Sequence, residues 1–168
     1  MPDKETIERA HQDAAQGKSA STQAGEFVRE EMHHIREGKH GARSPKQAIA
    51  IGLSKARRAG VDLRPPKKGE ASEKTRQSAE RAYERGHGAP AKRKPSAKRS
   101  KAIEHALQRE GHSAASHRAL SRQAHSAARK RTASDRHDAA MKAVHTKGHA
   151  EMSRAAKKAA RTRKRRGH

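Results

Sequence analysis

The stretch SPKQAIAIGLSKARRAG, residues 44–60, decides the reading of this chain. Ser44 stands where an N-cap belongs, its hydroxyl able to accept from a backbone N–H of the first turn. Pro45 occupies the first helical position, where a missing N–H removes no bond and φ is already helical. Gln47 follows the cap by three residues and completes a capping-box pattern. Ala48, Ile49, Gly52, Leu53, Ala56 and Ala59 recur at helical spacing and form one apolar face, while Lys46, Ser54, Lys55, Arg57 and Arg58 occupy the other. Gly60 offers the stop.

Upstream, EFVREEMHHIRE (residues 26–37) predicts a second helix. Val28, Met32 and Ile35 fall at i, i+4 and i+7, with Phe27 at the margin of the stripe, and Gly38 ends it. A short loop, GKHGARS, joins the two helices. Val61 and Leu63 can fold back on them before Pro65-Pro66. Residues 26–64 therefore read as an αα-hairpin whose first helix is net −2 and whose second is net +4, a weak mutual attraction. Units of roughly 40 residues lie near the lower limit for folding alone. A homodimer through the hairpin, or a bound partner, is the expected completion. Ile51 points off the apolar stripe, which by itself is ordinary.

The flanks are more polar. Residues 1–25 predict a short helix over 3–16, with Ile7, Ala10 and Ala14 on one face, followed by a flexible linker at 17–25. Residues 65–86 predict a linker and a third helix at 72–85, capped by Ser72 and stopped by Gly86. Residues 87–168 are rich in Ala, Lys, Arg and His, and open with a Pro- and Lys/Arg-rich linker over 87–99. Only 30% of the chain is apolar, much of it alanine, with one Phe and one Tyr. Such a composition buries little surface against the ~1–2 kcal/mol of backbone entropy that each ordered residue costs. The expected fold class is all-α: a small helical hairpin with a long flexible or nascently helical basic C-terminal tail. A weak echo of Ala48–Leu53 occurs at Ala102–Leu107.

Charge is the strongest functional signal. Forty-one Lys and Arg stand against eighteen Asp and Glu, a net +23, and the excess is graded: residues 1–40 sum to −2, 41–86 to +7 and 87–168 to +18. A chain this basic calls for a polyanion, and nucleic acid is the commonest one in cells. Within the tail, Arg118, Arg122, His125 and Arg129 form a basic stripe at helical spacing, with Lys130 and Arg131 just beyond. Lys157, Lys158, Arg161 and Arg165 share a face with Arg154, opposite an alanine face, and Arg163, Lys164 and Arg166 complete a cationic terminus. Arg57 and Arg58 add a patch on the hairpin. These fourteen expected contacts (Arg154 aside) address phosphates rather than bases, because the tail has no aromatic platform for stacking.

The stretch from Phe27 to Gly60, EEMHHIREGKHGARSPKQAIAIGLSKARRAG in its greater part, resembles a mostly bacterial family of small basic proteins recorded as a domain of unknown function. Met32-His33, Ile35 to Lys39 and Pro45 to Gly60 carry the resemblance. It implies no activity, since the family has none assigned. The Ala/Lys/Arg-rich tail is similar in composition to linker-histone and bacterial histone-like tails.

Other classes find little support. Cysteine is absent, which removes disulfides and thiolate sites. No apolar run approaches the roughly 20 residues that span a bilayer, and alanine faces offer nothing to insert, so no membrane partner is expected. The first residues, MPDKE, lack a secretory pattern, and the expected location is the cytoplasm, at a bacterial nucleoid. Of the thirteen histidines, His34 with Glu30 and Glu37, and His145 with His149, share helical spacing, but neither set supplies a full ligand shell. No metal or cofactor is expected. No phosphate-binding glycine loop or nucleophile arrangement appears, so no enzyme is expected. The expected function is non-sequence-specific nucleic-acid binding, duplex DNA over RNA, condensing DNA through its backbone. The alternatives are an RNA-binding or ribosome-associated protein and an extended, stress-related structural protein.

Overall fold

A computed structural model describes residues 2–90 and 96–167. Among the described residues every regular element is helical: α1 (Lys4–Ala15), α2 (Ala20–Arg36), α3 (Pro45–Arg58), α4 (Glu73–Gly86), α5 (Ala97–Gln108), a 3₁₀ turn (Ser113–Ala115), α6 (His117–Arg129), α7 (Ala133–Lys147) and α8 (His149–Arg166). They divide into two units, one up to Gln123 and one from Ala124 onward.

In the first unit α2 is the spine, packed on α1 along one side and on α3 along another. The apolar stripes form two clusters. Met32, Ile35, Ala42 and Ala48 meet Ala114 and Ala115, with Val28, Ile49 and Leu120 at the margin. Ala10, Ala24, Phe27, Ala56 and Val61 make the other, flanked by Ile7, Leu53 and Leu63. Phe27 and Ile35 are the only two large apolar side chains in full burial among the described residues. With so few large side chains, the helices must approach closely, and they do so at Gly52. A Cβ there would lie 2.7 Å from Val28 Cα, a backbone atom that cannot step aside.

The α3 start is nearly as the sequence reads. Ser44 Oγ accepts from the Gln47 N–H at 3.3 Å, and Pro45 takes the first turn. The Gln47 side chain, however, accepts from the Arg43 N–H at 2.9 Å, one residue before the cap. The reciprocal half of the box is thus displaced.

A charged network lies beneath the same helix pair. Lys55 of α3 reaches Glu31 Oε2 at 2.7 Å and Glu30 Oε1 at 3.1 Å, and both carboxylate side chains are almost wholly buried. Burial opposes the Lys55 charge, but the Glu31 and Glu30 carboxylates outweigh it and hold its pKa above the ordinary lysine value. Arg9 joins α1 to α2 through Glu26 at 2.7 Å.

Two expectations need correction. The flexible linker at 17–25 is not found: α2 begins at Ala20, and Ala24 is fully buried against α1. Tertiary packing overrides the modest helix propensity of Ser21 and Thr22. Nor is residues 87–168 a largely disordered tail. Its residues 97–108, 117–129, 133–147 and 149–166 are helical, while 91–95 of the expected linker lie outside the described residues. Alanine leads the helix scale, and local devices add to it. Thr132 and Asp135 form a reciprocal capping box, and four cations close α8 where the helix dipole favours them.

Part of that rear segment belongs to the core. Gly41 N–H donates to Leu107 O at 2.9 Å and Ala42 N–H to Gly111 O at 3.1 Å, so the end of α5 docks on the α2–α3 loop. Arg36 Nε donates to Ala115 O at 2.9 Å. The echo at Ala102–Leu107 has no structural counterpart, since α5 buries none of its residues whereas α3 buries Ala48 and Gly52.

Substituting Gly52→Ala should lower the urea-unfolding free energy by about 1–3 kcal/mol through overpacking against Val28. A chain ended at residue 96 should melt at least ~5 °C below one ended at residue 131, because it lacks the segment that carries Ala114 and Ala115; that is the shift expected for about 1 kcal/mol in a domain of this size. Coincident melting curves would show that this segment adds nothing to the core.

Candidate nucleic-acid interface

The rear cations stand on well-formed helices. α6 presents Arg118, Arg122 and Arg129, followed by Lys130 and Arg131, and all five are exposed. In the first unit Leu120 is packed on the core, which anchors the start of α6 and directs Arg118 and Arg122 outward. α8 carries eight Lys and Arg against one Glu. Arg154, Lys157, Lys158, Arg161 and Arg165 lie on one of its faces, a row roughly 16 Å long at the helical rise. Lys157, Lys158, Arg161, Arg163, Lys164, Arg165 and Arg166 are all exposed.

What these cations lack is acid. Residues 117–166 hold sixteen Lys and Arg against three Asp and Glu. One of the three, Asp135, is occupied in a helix cap, where the Thr132 hydroxyl and N–H hold its carboxyl below the ordinary range. Among the described residues, no ion pair within 4.0 Å joins any residue beyond Glu110, whereas the first unit contains many. The rear helices are therefore a surface of unneutralised charge.

The two hairpin arginines differ. Arg57 is only 8% exposed, and its guanidinium donates to Leu63 O at 2.9 Å and Arg64 O at 3.4 Å. It braces the segment after α3 and is not available to a phosphate. Arg58 is exposed and donates to Ser54 Oγ at 2.9 Å. Partial desolvation and the like charge of Arg85 on α4 push its pKa below the ordinary arginine value, though it stays charged. Arg85 beside Arg58, and Arg64 and Lys74 on the rim of a cleft of about 560 Å³ between α3 and α4, extend the cationic surface of this unit. These three were not singled out from sequence, because charge alone does not tell that α4 folds back beside α3.

Neither aromatic ring is free to receive a base. Phe27 is fully buried. Tyr83 stacks on His87 with ring centroids 4.0 Å apart and donates its hydroxyl to Asp62.

Residues 17–68 match the model of a family of unknown function, DUF6496. The match covers α2, α3 and the segment that folds back after them, and it contains the stretch from Phe27 to Gly60. No curated protein and no solved structure matches the chain. Among the described residues no helix is long and apolar enough to cross a membrane.

Replacing Arg57 by Met should cost about 1.5–3 kcal/mol in chemical denaturation, since it removes a charged donor from two carbonyls. Replacing exposed Arg58 by Met should change stability by less than about 0.5 kcal/mol.

Proposed function

We propose that this chain binds nucleic acid through the phosphate backbone, with little base preference and with duplex DNA as its main partner. One observation carries the reading: sixteen cations on the rear helices face solvent with almost no acid to neutralise them. Solubility needs far fewer. Each Lys or Arg that displaces a condensed counterion contributes to affinity, and the sum falls steeply with salt. Preformed helices hold the cations of α8 in a row, so less ordering entropy opposes binding than for a disordered tail. The engagement of both aromatic side chains argues against single-strand capture by stacking. Charge neutralisation along a duplex would serve DNA compaction, as in a nucleoid-associated protein.

In a salt-titrated mobility-shift assay on duplex DNA, about ten phosphate contacts should give a log–log slope near −9. Changing Lys157, Lys158, Arg161 and Arg165 together to Gln should reduce that slope by roughly 3 to 4, with circular dichroism unchanged. Random and single-sequence duplexes should bind alike. Competition with structured RNA at matched salt tests the choice of polymer. A full-length chain that ignores both polymers at about 100–200 mM salt would end this assignment.

A further inference from the structure

Three side chains converge at the C-terminal end of α2: Glu31, His34 and, from the following loop, His40. One donor atom of each lies within 4.8 Å of the other two. Glu31 is buried to 1% side-chain exposure, and the two imidazoles are 12% and 18% exposed. The loop geometry makes this possible. Gly38, at φ 78°, reverses the chain where a side chain would be strained, and the Lys39 N–H closes on His34 O at 3.0 Å. His40 thereby returns over the helix it has just left.

The hydrogen bonds around the rings decide where their protons sit. His40 Nδ1 is 3.1 Å from Gly41 O, and a carbonyl can only accept, so Nδ1 carries the proton. In the neutral ring Nε2 then carries no proton, and it stands 3.2 Å from Glu31 Oε1. His34 repeats the arrangement. Its Nε2 donates to Asp3 Oδ2 at 3.2 Å, which leaves Nδ1 unprotonated, 3.9 Å from Glu30 Oε1. That hydrogen bond from His34 holds the Asp3 carboxyl below its ordinary pKa. Neither oxygen of Glu31 makes a hydrogen bond. Lys55 Nζ stands 2.7 Å from Oε2, close enough for charge attraction but outside hydrogen-bonding angles. A carboxylate this deeply buried with no hydrogen bond on either oxygen is costly, and a bound cation would offset that cost.

We propose that Glu31, His34 and His40 form a binding site for a divalent transition-metal ion of the zinc type, through one ring nitrogen of each histidine and a Glu31 oxygen. Two imidazoles and a carboxylate are a zinc-like donor set rather than the all-oxygen set of calcium or magnesium. Donors around tetrahedral zinc, at about 2.0–2.1 Å from the metal, are roughly 3.3 Å from each other, close to the 3.2 Å between His40 Nε2 and Glu31 Oε1. The groups behind the ligands are those that tune such sites: Asp3 on His34, the Gly41 carbonyl on His40 and Lys55 on Glu31. With both rings neutral, Asp3, Glu30 and Glu31 against Lys55 leave two negative charges, which a divalent ion balances. Glu30 accepts from the Asp3 N–H and from Lys55, so a fourth position is left to solvent. The helical spacing of His34 with Glu37 points elsewhere, since Glu37 pairs with Lys39 at 3.1 Å. Such an ion would pin the α2–α3 loop to its helix.

The test is calorimetric titration of the full-length, chelator-treated protein with zinc chloride, with melting curves recorded with and without the metal. One tight zinc per chain and a raised melting temperature are expected. His34→Ala and His40→Ala should each weaken that event more than ~10-fold and abolish the melting shift, and Asp3→Asn should weaken it about 10-fold. A His145→Ala/His149→Ala double variant should bind as the parent does, which separates this site from loose histidine binding. Circular dichroism of His40→Ala, a partly exposed loop variant, checks that the fold survives. No tight zinc event in the parent chain, or one of equal strength in His40→Ala, overturns the proposal. So does a proton on both nitrogens of His40 by NMR in the presence of zinc.

Discussion

The close approach of α2 and α3 at Gly52 is the constraint on which the first unit depends. With Phe27 and Ile35 the only large apolar side chains fully buried among the described residues, no thick hydrophobic layer holds the helices apart. The core is built from alanine, and alanine faces gain van der Waals contact only when backbones nearly touch. Absence of a side chain at position 52 permits that distance. The remaining contacts of α3, from Ala48 to Ala56, follow from it. The interface resembles the small-residue packing of helices in membranes more than an ordinary leucine-rich core.

A core this thin is supplemented by charge. Lys55 spans from α3 to two buried carboxylates on α2. Burying these groups costs several kcal/mol per ion before their mutual attraction is counted, so the network is a poor source of net stability. What it supplies is register. Slipping α3 by one turn against α2 would leave Glu30 and Glu31 facing apolar atoms, an outcome far costlier than the pair itself. Alanine surfaces are smooth and permit sliding, and the buried charges remove that freedom.

Legibility in the sequence followed the strength of local signals. α3 was readable because its cap, its proline, its apolar period and its terminal glycine agree. α1 and α4 were readable for similar reasons, including Ser72 as a cap, whose hydroxyl the structure shows accepting from the Thr75 N–H. The start of α2 was not, since Ser19 to Gly25 reads as linker until α1 is known to cover Ala24. Ala114 and Ala115 were hidden for a different reason: two alanines in an Ala/Ser/His stretch carry no mark of burial, and only the docking of Leu107 and Gly111 on the α2–α3 loop places them. The exposed cations of α6 and α8 were legible because excess charge survives any fold. Arg57 was misleading, since composition cannot tell a free guanidinium from one spent on carbonyls. His40 was not singled out because a loop residue has no helical spacing to Glu31 and His34 on α2.

The distribution of acids has a consequence for control. Of the eight Asp and Glu in residues 1–40, seven stand within ion-pair distance of a nearby Lys, Arg or His in the first unit. An acidic segment elsewhere in a basic protein can act as a decoy, occupying its own cations until a stronger polymer displaces it. Here that segment is already spoken for by its own helices, and the arginines of the C-terminal helix meet little intramolecular competition. Screening of these charges is then left largely to the ionic strength of the medium.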